Sequence, residues 1–436
     1  MHAPRTAVRR ASAAARPFRA PLAALLLAAF ASSCSPTPGP AEWTSLREVT
    51  PASLRGVSAW DASLATGPRG QVALTWVTRD TAGASVWVAV SSDSGERFGE
   101  PHRLDVPAGR VSSYPESRPV AAFGPTGVLV VAWASRRDSG AADDLVSRAS
   151  ADGGGTFDPA VFLNDDHGNP ASPYRGFAAL EWTPDGRALA AWIDGRDMPL
   201  APGMDEPDRA SVRLAASVDE GHSWQPSTLV AGEACPCCRI ALRADSLGHV
   251  AIAYRGARGG LRDPRLAVSS DGGATFAVDT LVADDRWLLP GCPSIGPALT
   301  LNRAGGGQYL WFTGAERESA GVTPGVYLAP WRLAAGATGP RRMLADSLRD
   351  ASHPMLVAMG ATSLAGVIAH PRADSTRRVL AVRALESGGA VTPWLFLGAN
   401  VRSASLAGAG PRRAYAAWSE RNGDGARLRL VRLDRR

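Results

Sequence analysis

The chain repeats itself at a spacing that few architectures tolerate. A short apolar segment ending in an aromatic residue or His recurs at Val72–Trp76, Val128–Trp133, Leu189–Trp192, Ala251–Tyr254, Tyr309–Trp311, Gly366–His370 and Tyr415–Trp418, with the ends 57, 59, 62, 57, 59 and 48 residues apart. A unit of this size, holding several short strands separated by turns, is what a four-stranded propeller blade needs. The 46 Gly and 33 Pro suit many tight turns rather than long helices. The expected fold is all-β: a β-propeller over residues 42–436 with seven blades, or six if the unit around His370 is not a blade. Strands are expected near 59–66, 70–78, 85–92 and 97–106 in the first unit. The last unit offers only three, near 401–408, 413–420 and 426–433. The segment Glu42–Thr50 supplies its fourth strand, closing the ring and removing open sheet edges.

Ahead of the repeats, residues 1–33 read as an export signal: five Arg and no acid, then the apolar run Pro21–Phe30, then small residues before Cys34. The run is too short to span a bilayer. Cys34 directly after small residues resembles a bacterial lipobox, which implies lipidation at Cys34. Residues 34–41 then form a Pro-rich tether, and the protein is expected in the cell envelope, held at the membrane by its lipid.

All 47 basic residues are Arg, so phosphate-loop and Schiff-base lysines are excluded. The formal charge of +6 is concentrated in the signal. Without it, Arg and acid nearly balance, which gives no electrostatic case for nucleic acid.

A second pattern lies inside the first four units: Ser91-x-Asp93-x-Gly95-x-x-Phe98, Ser150-x-Asp152-x-Gly154-x-x-Phe157, Ser217-x-Asp219-x-Gly221-x-x-Trp224 and Ser269-x-Asp271-x-Gly273-x-x-Phe276. The Asp bonds the turn's own amides, the Gly takes a positive φ, and the aromatic plugs the gap between sheets. These residues resemble the Asp-box (BNR) repeats of the sialidase superfamily. The resemblance implies that Asp93, Asp152, Asp219 and Asp271 are scaffold, remote from catalysis. The segments Trp192–Asp197, Cys235–Cys238 and Gly291–Pro297 also look like exported bacterial propellers often labelled exo-alpha-sialidase.

In an antiparallel blade the inner strand begins on the face where the second strand ends, so residues at both places converge on one mouth. Inner-strand starts contribute Asp61, Glu116, Arg118, Tyr174, Arg175, Cys237, Cys238, Arg239, Cys292, His353 and Arg402. Loops after second strands add Asp194, Arg196, Arg255 and Arg258, and the long loop Met198–Ala210 is expected to cover part of the mouth. Guanidinium groups grip carboxylate, sulfate or phosphate in bidentate fashion. Arg118, Arg175, Arg196, Arg239 and Arg255 are therefore candidate ligand-binding residues; the alternative is that neighbouring Asp residues satisfy them.

The resemblance to retaining sialidases implies an arginine triad, a Tyr nucleophile with a carboxylate partner, and an Asp acid/base. The nearest candidates are Arg118, Arg175 or Arg239, Arg255, Tyr114 or Tyr174, Glu116 and Asp61. The early Arg-Ile-Pro-like segment of that family is replaced here by Ser117-Arg118-Pro119.

Cys235, Cys237, Cys238 and Cys292 begin consecutive blades and are expected to meet at the mouth. Export and even number favour disulfides. A thiolate site for copper(I) or zinc, joined by His353, is the alternative. The expected function is a monomeric propeller binding an anionic small molecule or glycan at the channel mouth. Exo-alpha-sialidase or related glycoside hydrolase activity is the first alternative, and thiolate metal binding is the second.

Overall fold

The computed structural model describes residues 43–137, 142–169, 174–198, 210–333, 336–337, 339–386 and 389–435. The signal, Cys34, the tether and the interior of the Met198–Ala210 loop lie outside them. The described residues form seven antiparallel sheets arranged as seven blades, almost without helix. No described helix is long and apolar enough to cross a membrane.

Each aromatic-ended segment lies on the second strand of its blade. Blade three is representative, running from the inner strand Arg175–Trp182 through Ala188–Asp194 and Ala210–Ser217 to Thr228–Ala234 at the rim. A second strand has sheets against both of its faces, so every residue of Ala188–Asp194 is buried. Trp192 at its centre is fully buried among Leu145, Leu163 and Ala215, bridging blades two and three. Truncating such a side chain to Ala costs about 3–5 kcal/mol. The unit around His370 is a complete sixth blade, built from Leu348–Met359, Thr362–Pro371, Val379–Leu385 and Leu395–Leu397. That settles the count at seven.

The ring closes as the N-terminal segment requires. Trp43–Glu48 pairs antiparallel with Gly425–Arg435, giving the last blade its outer strand. Across the seam, the Leu64 amide donates to Ser405 Oγ at 3.1 Å and Thr66 Oγ1 donates to the Gly408 carbonyl at 2.6 Å. The outer strand of the first blade is shorter than expected, only His102–Arg103.

The four Ser-x-Asp turns connect third to fourth strands, on the face away from the mouth. In each, the Ser hydroxyl donates to the Asp carboxylate at 2.6–2.8 Å while the Gly amide donates back to the hydroxyl at 2.6–2.9 Å. The Gly residues have φ between 81° and 114°, where a side chain would be strained. The backbone amide of Arg97, then the Ser91 hydroxyl, lower the Asp93 carboxyl to about 2. The hydroxyls of Ser269 and Thr275 bring Asp271 to about 2.

Candidate functional site

Inner strands enter the mouth through irregular backbone. Register shifts interrupt the pairing at Trp60/Ser63, Gly176/Ala179, Ser352/Met355 and Val401/Ser403. Asp61, Phe177 and His353, inside three of them, hold φ at 52°, 58° and 53°. Non-glycine residues in this region cost about 1–3 kcal/mol each, and such strain persists where surrounding contacts enforce it. At Asp61 the contacts are clear: Arg79 Nη2 donates to its buried carboxylate at 2.7 Å and Ser113 Oγ donates at 2.9 Å.

The channel axis is bridged by charge. Arg239 of blade four reaches Glu116 of blade two at 2.6 Å and also donates to the Pro354 carbonyl of blade six. The second oxygen of Glu116 accepts from the Gly296 amide of blade five at 2.8 Å. Arg118 lines the same cavity of about 170 Å³ but donates to the carbonyls of Ala62 and Ala404, not to an acid. Burial, then the nearby charge of Arg239, lower its pKa to about 10.

On the side of blades two and three the arginines are spent inward. Arg175, fully buried, forms a two-pronged pair with Asp166 and lies 3.9 Å from Asp194. Arg196 bonds Asp194 at 2.9 Å, Asp165 at 2.8 Å and Asp166 at 3.3 Å. Burial opposes its charge, but the hydrogen bonds it donates to Asp194 and Asp165 outweigh that and raise its pKa. Arg137 pairs with Asp144 at 2.6 Å. Arg255 is buried too, clamping the carbonyls of Ile295, Phe312 and Arg262 with its guanidinium 5.0 Å from the Trp287 ring centroid. These contacts direct donors of Arg175, Arg196 and Arg255 at the protein's own carboxylates and carbonyls, in line with the alternative that neighbouring groups satisfy them.

The side of blades six and seven is built oppositely. Arg378, Arg402 and Arg421 line a pocket of about 520 Å³ with Asn400, Val401 and Gly423, and no acid lines it. Arg421 donates to the Gly423 carbonyl at 3.3 Å. Among the described residues neither Arg378 nor Arg402 forms an ion pair. Burial, then the charge of Arg402, lower the pKa of Arg378. His353 belongs to this positive neighbourhood: burial lowers its pKa, Glu116 opposes, and Arg239, Arg378 and Arg118 lower it further.

Arg378 lies in the loop after a second strand and Arg421 near the end of one, as Arg255 does. Asp374 is the only acid between His370 and Glu386, a stretch that holds four Arg, and this local imbalance was the available signal.

Tyr114, Tyr174 and the cysteines form a third group. Tyr174 donates to the Pro236 carbonyl, inside the cysteine triplet. No carboxylate among the described residues bonds either phenol. Burial raises both phenol pKa values, with Tyr114, Cys235 and Cys237 adding to it at Tyr174 and Cys237 and Cys292 at Tyr114. An activated Tyr nucleophile needs the reverse.

No disulfide joins Cys235, Cys237, Cys238 or Cys292 in this structure. Cys235 Sγ lies 3.2 Å from Cys238 Sγ and 3.7 Å from Cys237 Sγ, beyond the roughly 2.05 Å of a disulfide. His353 does not join the sulfurs; its Nδ1 lies 2.9 Å from Ser352 Oγ.

No family model matches the chain, and no curated protein matches its sequence. Solved structures share its fold at low identity. An ulvan lyase, described as a new polysaccharide lyase family, aligns with TM-score 0.55 and 9% identity over 89% of this chain and 96% of its own. A protein of unknown function from Dyadobacter fermentans aligns at 0.51 and 14% over 91% and 99%. A Hadza microbial sialidase aligns at 0.50 and 12% over 86% of this chain and 66% of its own.

Proposed function

We propose that this is an exported, lipid-anchored, monomeric propeller that captures an anionic, glycan-like ligand at its mouth, seating a carboxylate or sulfate between Arg378, Arg402 and Arg421. One observation carries the reading. In a chain whose acids and arginines nearly balance once residues 1–33 are set aside, three guanidiniums surround one pocket without an acid, while the arginines around blades two and three are neutralised. Arg378 is half-buried while Arg402 and Arg421 are exposed; like charges held together repel, and a bound anion relieves that repulsion while accepting their hydrogen bonds. A glycan as the carrier of that anion draws support from the fold's company: a sialidase, and an ulvan lyase bound to -[GlcA(1-4)Rha3S]-, a repeat with both uronate and sulfate.

The test is calorimetric titration with uronate-bearing, sulfated and neutral oligosaccharides. Charged members are expected to bind, more weakly as salt rises, while neutral ones do not. Binding of neutral sugars alone, or of none, overturns the proposal. Hydrolysis is checked alongside: aryl sialoside turnover is expected to be absent. Turnover abolished by Tyr114→Phe or Tyr174→Phe would replace capture with an exo-sialidase reading, with Asp61 and Glu116 as its carboxylates.

A further inference from the structure

A different part of the mouth carries chemistry that anion capture does not use. Ala234 ends the outer strand of blade three and Ala241 begins the inner strand of blade four, so Cys235-Pro236-Cys237-Cys238 is the crossing between blades. The next crossing, from Leu281 to Ala298, carries Cys292. Ring geometry thus stacks two Cys-bearing connections on one face. The three sulfurs of the triplet all lie within 4.8 Å of one another. Cys292 interacts with Cys237 across the two crossings.

We propose that Cys235, Cys237 and Cys238 bind one thiophilic d10 cation, copper(I) or zinc(II), with Cys292 at the solvent side as the fourth sulfur when the ion takes four ligands. Metal–sulfur bonds of about 2.3 Å place sulfurs roughly 3.8 Å apart around a tetrahedral ion and about 4.0 Å apart around a trigonal one. The Cys235–Cys237 separation of 3.7 Å already fits. The Cys235–Cys238 pair at 3.2 Å needs to open by roughly 0.6 Å, whereas a disulfide requires it to close by about 1.2 Å.

Burial grades outward in the same order: Cys235 and Cys238 are buried, Cys237 is intermediate and Cys292 is exposed. An ion therefore has an entry path that ends in a dry sulfur pocket. The scaffold holds the loop in place, since the Cys235 amide donates to the Arg255 carbonyl at 2.8 Å and Tyr174 donates to the Pro236 carbonyl. The buried guanidinium of Arg255 adds positive charge near Cys235 and Cys238, offsetting the negative charge of a thiolate-bound ion. Thiolates discriminate for soft ions over Mg or Ca, and loading releases the thiol protons to solvent.

The experiment loads the full-length chain, purified anaerobically with reductant, with Cu(I) in one arm and Zn(II) in the other. The readouts are metal stoichiometry after desalting and sulfur coordination number from X-ray absorption at the metal edge. One ion per chain with three or more sulfur neighbours is expected in at least one arm, and the arm that retains its ion identifies the metal. Cys237→Ser, at the half-buried position, weakens retention by about 100-fold or more, and Arg402→Ala leaves it unchanged. Absence of retained metal in both arms overturns the proposal. So does a coordination shell of nitrogen and oxygen, or a Cys235–Cys238 disulfide in freshly isolated protein that resists reduction and blocks loading. The sulfur count is read on the unmutated chain, so a variant that misfolds does not decide the outcome.

Discussion

The two sides of the mouth use the same residue to opposite ends. Around blades two and three, Arg137, Arg175 and Arg196 are each matched by carboxylates of Asp144, Asp165, Asp166 and Asp194. Around blades six and seven, Arg378, Arg402 and Arg421 share a pocket without an acid. A buried ion pair with its lone pairs and protons satisfied holds geometry, and breaking it is costly. An uncompensated cation cluster contributes nothing to holding the fold and gains when something negative arrives. The first arrangement is architecture, and the second is the site proposed for an anionic ligand.

That contrast is broken most forcefully by removing Asp194, which accepts from Trp192 Nε1 at 2.7 Å and from Arg196, beside Arg175. Asp194→Ala leaves a buried guanidinium short of its counter-charge and is expected to cost about 3–5 kcal/mol in urea denaturation. A cost below about 1 kcal/mol would mean that this network is no more structural than the opposite side.

Next in size is ligand affinity. Arg378→Ala and Arg402→Ala are each expected to weaken the tightest anionic saccharide by about 10–100-fold, the value of one lost charge-assisted hydrogen bond. Arg196→Ala, measured in the same titration, should leave affinity within about threefold.

A smaller effect comes from the far face. Asp93 and Asp271 have folded pKa values of about 2, depressed from 3.8. As groups with lowered values, they stabilise the fold fully above about pH 4 and lose that contribution as pH falls through 2. The difference in melting temperature between the wild type and Asp93→Asn should therefore shrink as pH drops from 6 towards 2. Ligand binding at the mouth should not follow that curve. The smallest expected change is Arg378→Gln without ligand. Its charge is opposed by burial and by Arg402, so stability should stay within about 0.5 kcal/mol or rise slightly.

The ring could be read from the chain because its signals are local and repeated. A blade's second strand must be apolar on both faces, and the aromatic at its end recurs with the blade, so Trp76, Trp133, Trp192, Tyr254, Trp311 and Trp418 register the architecture directly. His370 filled the same role with a half-buried ring and made its blade the hardest to count. Which residues meet at the mouth followed from topology, as Glu116 and Arg239 show by pairing across the channel at 2.6 Å.

The balance of charge did not follow. Whether an Arg is free depends on carboxylates delivered by other blades, and Asp165 and Asp166 reach Arg175 and Arg196 from an inter-blade crossing with no motif of its own. The cysteines divide the same way: their convergence was topological, while their separations depend on the backbone path through Pro236.

The most direct test of the account is a crystal structure of the chain with the tightest-binding anionic saccharide from the titration. The account predicts that the carboxylate or sulfate lies within hydrogen-bond distance of Arg378 and Arg402, with the pairs of Arg175 and Arg196 unchanged. A ligand anion held instead by Arg175 or Arg196, with Asp166 and Asp194 displaced, would contradict it.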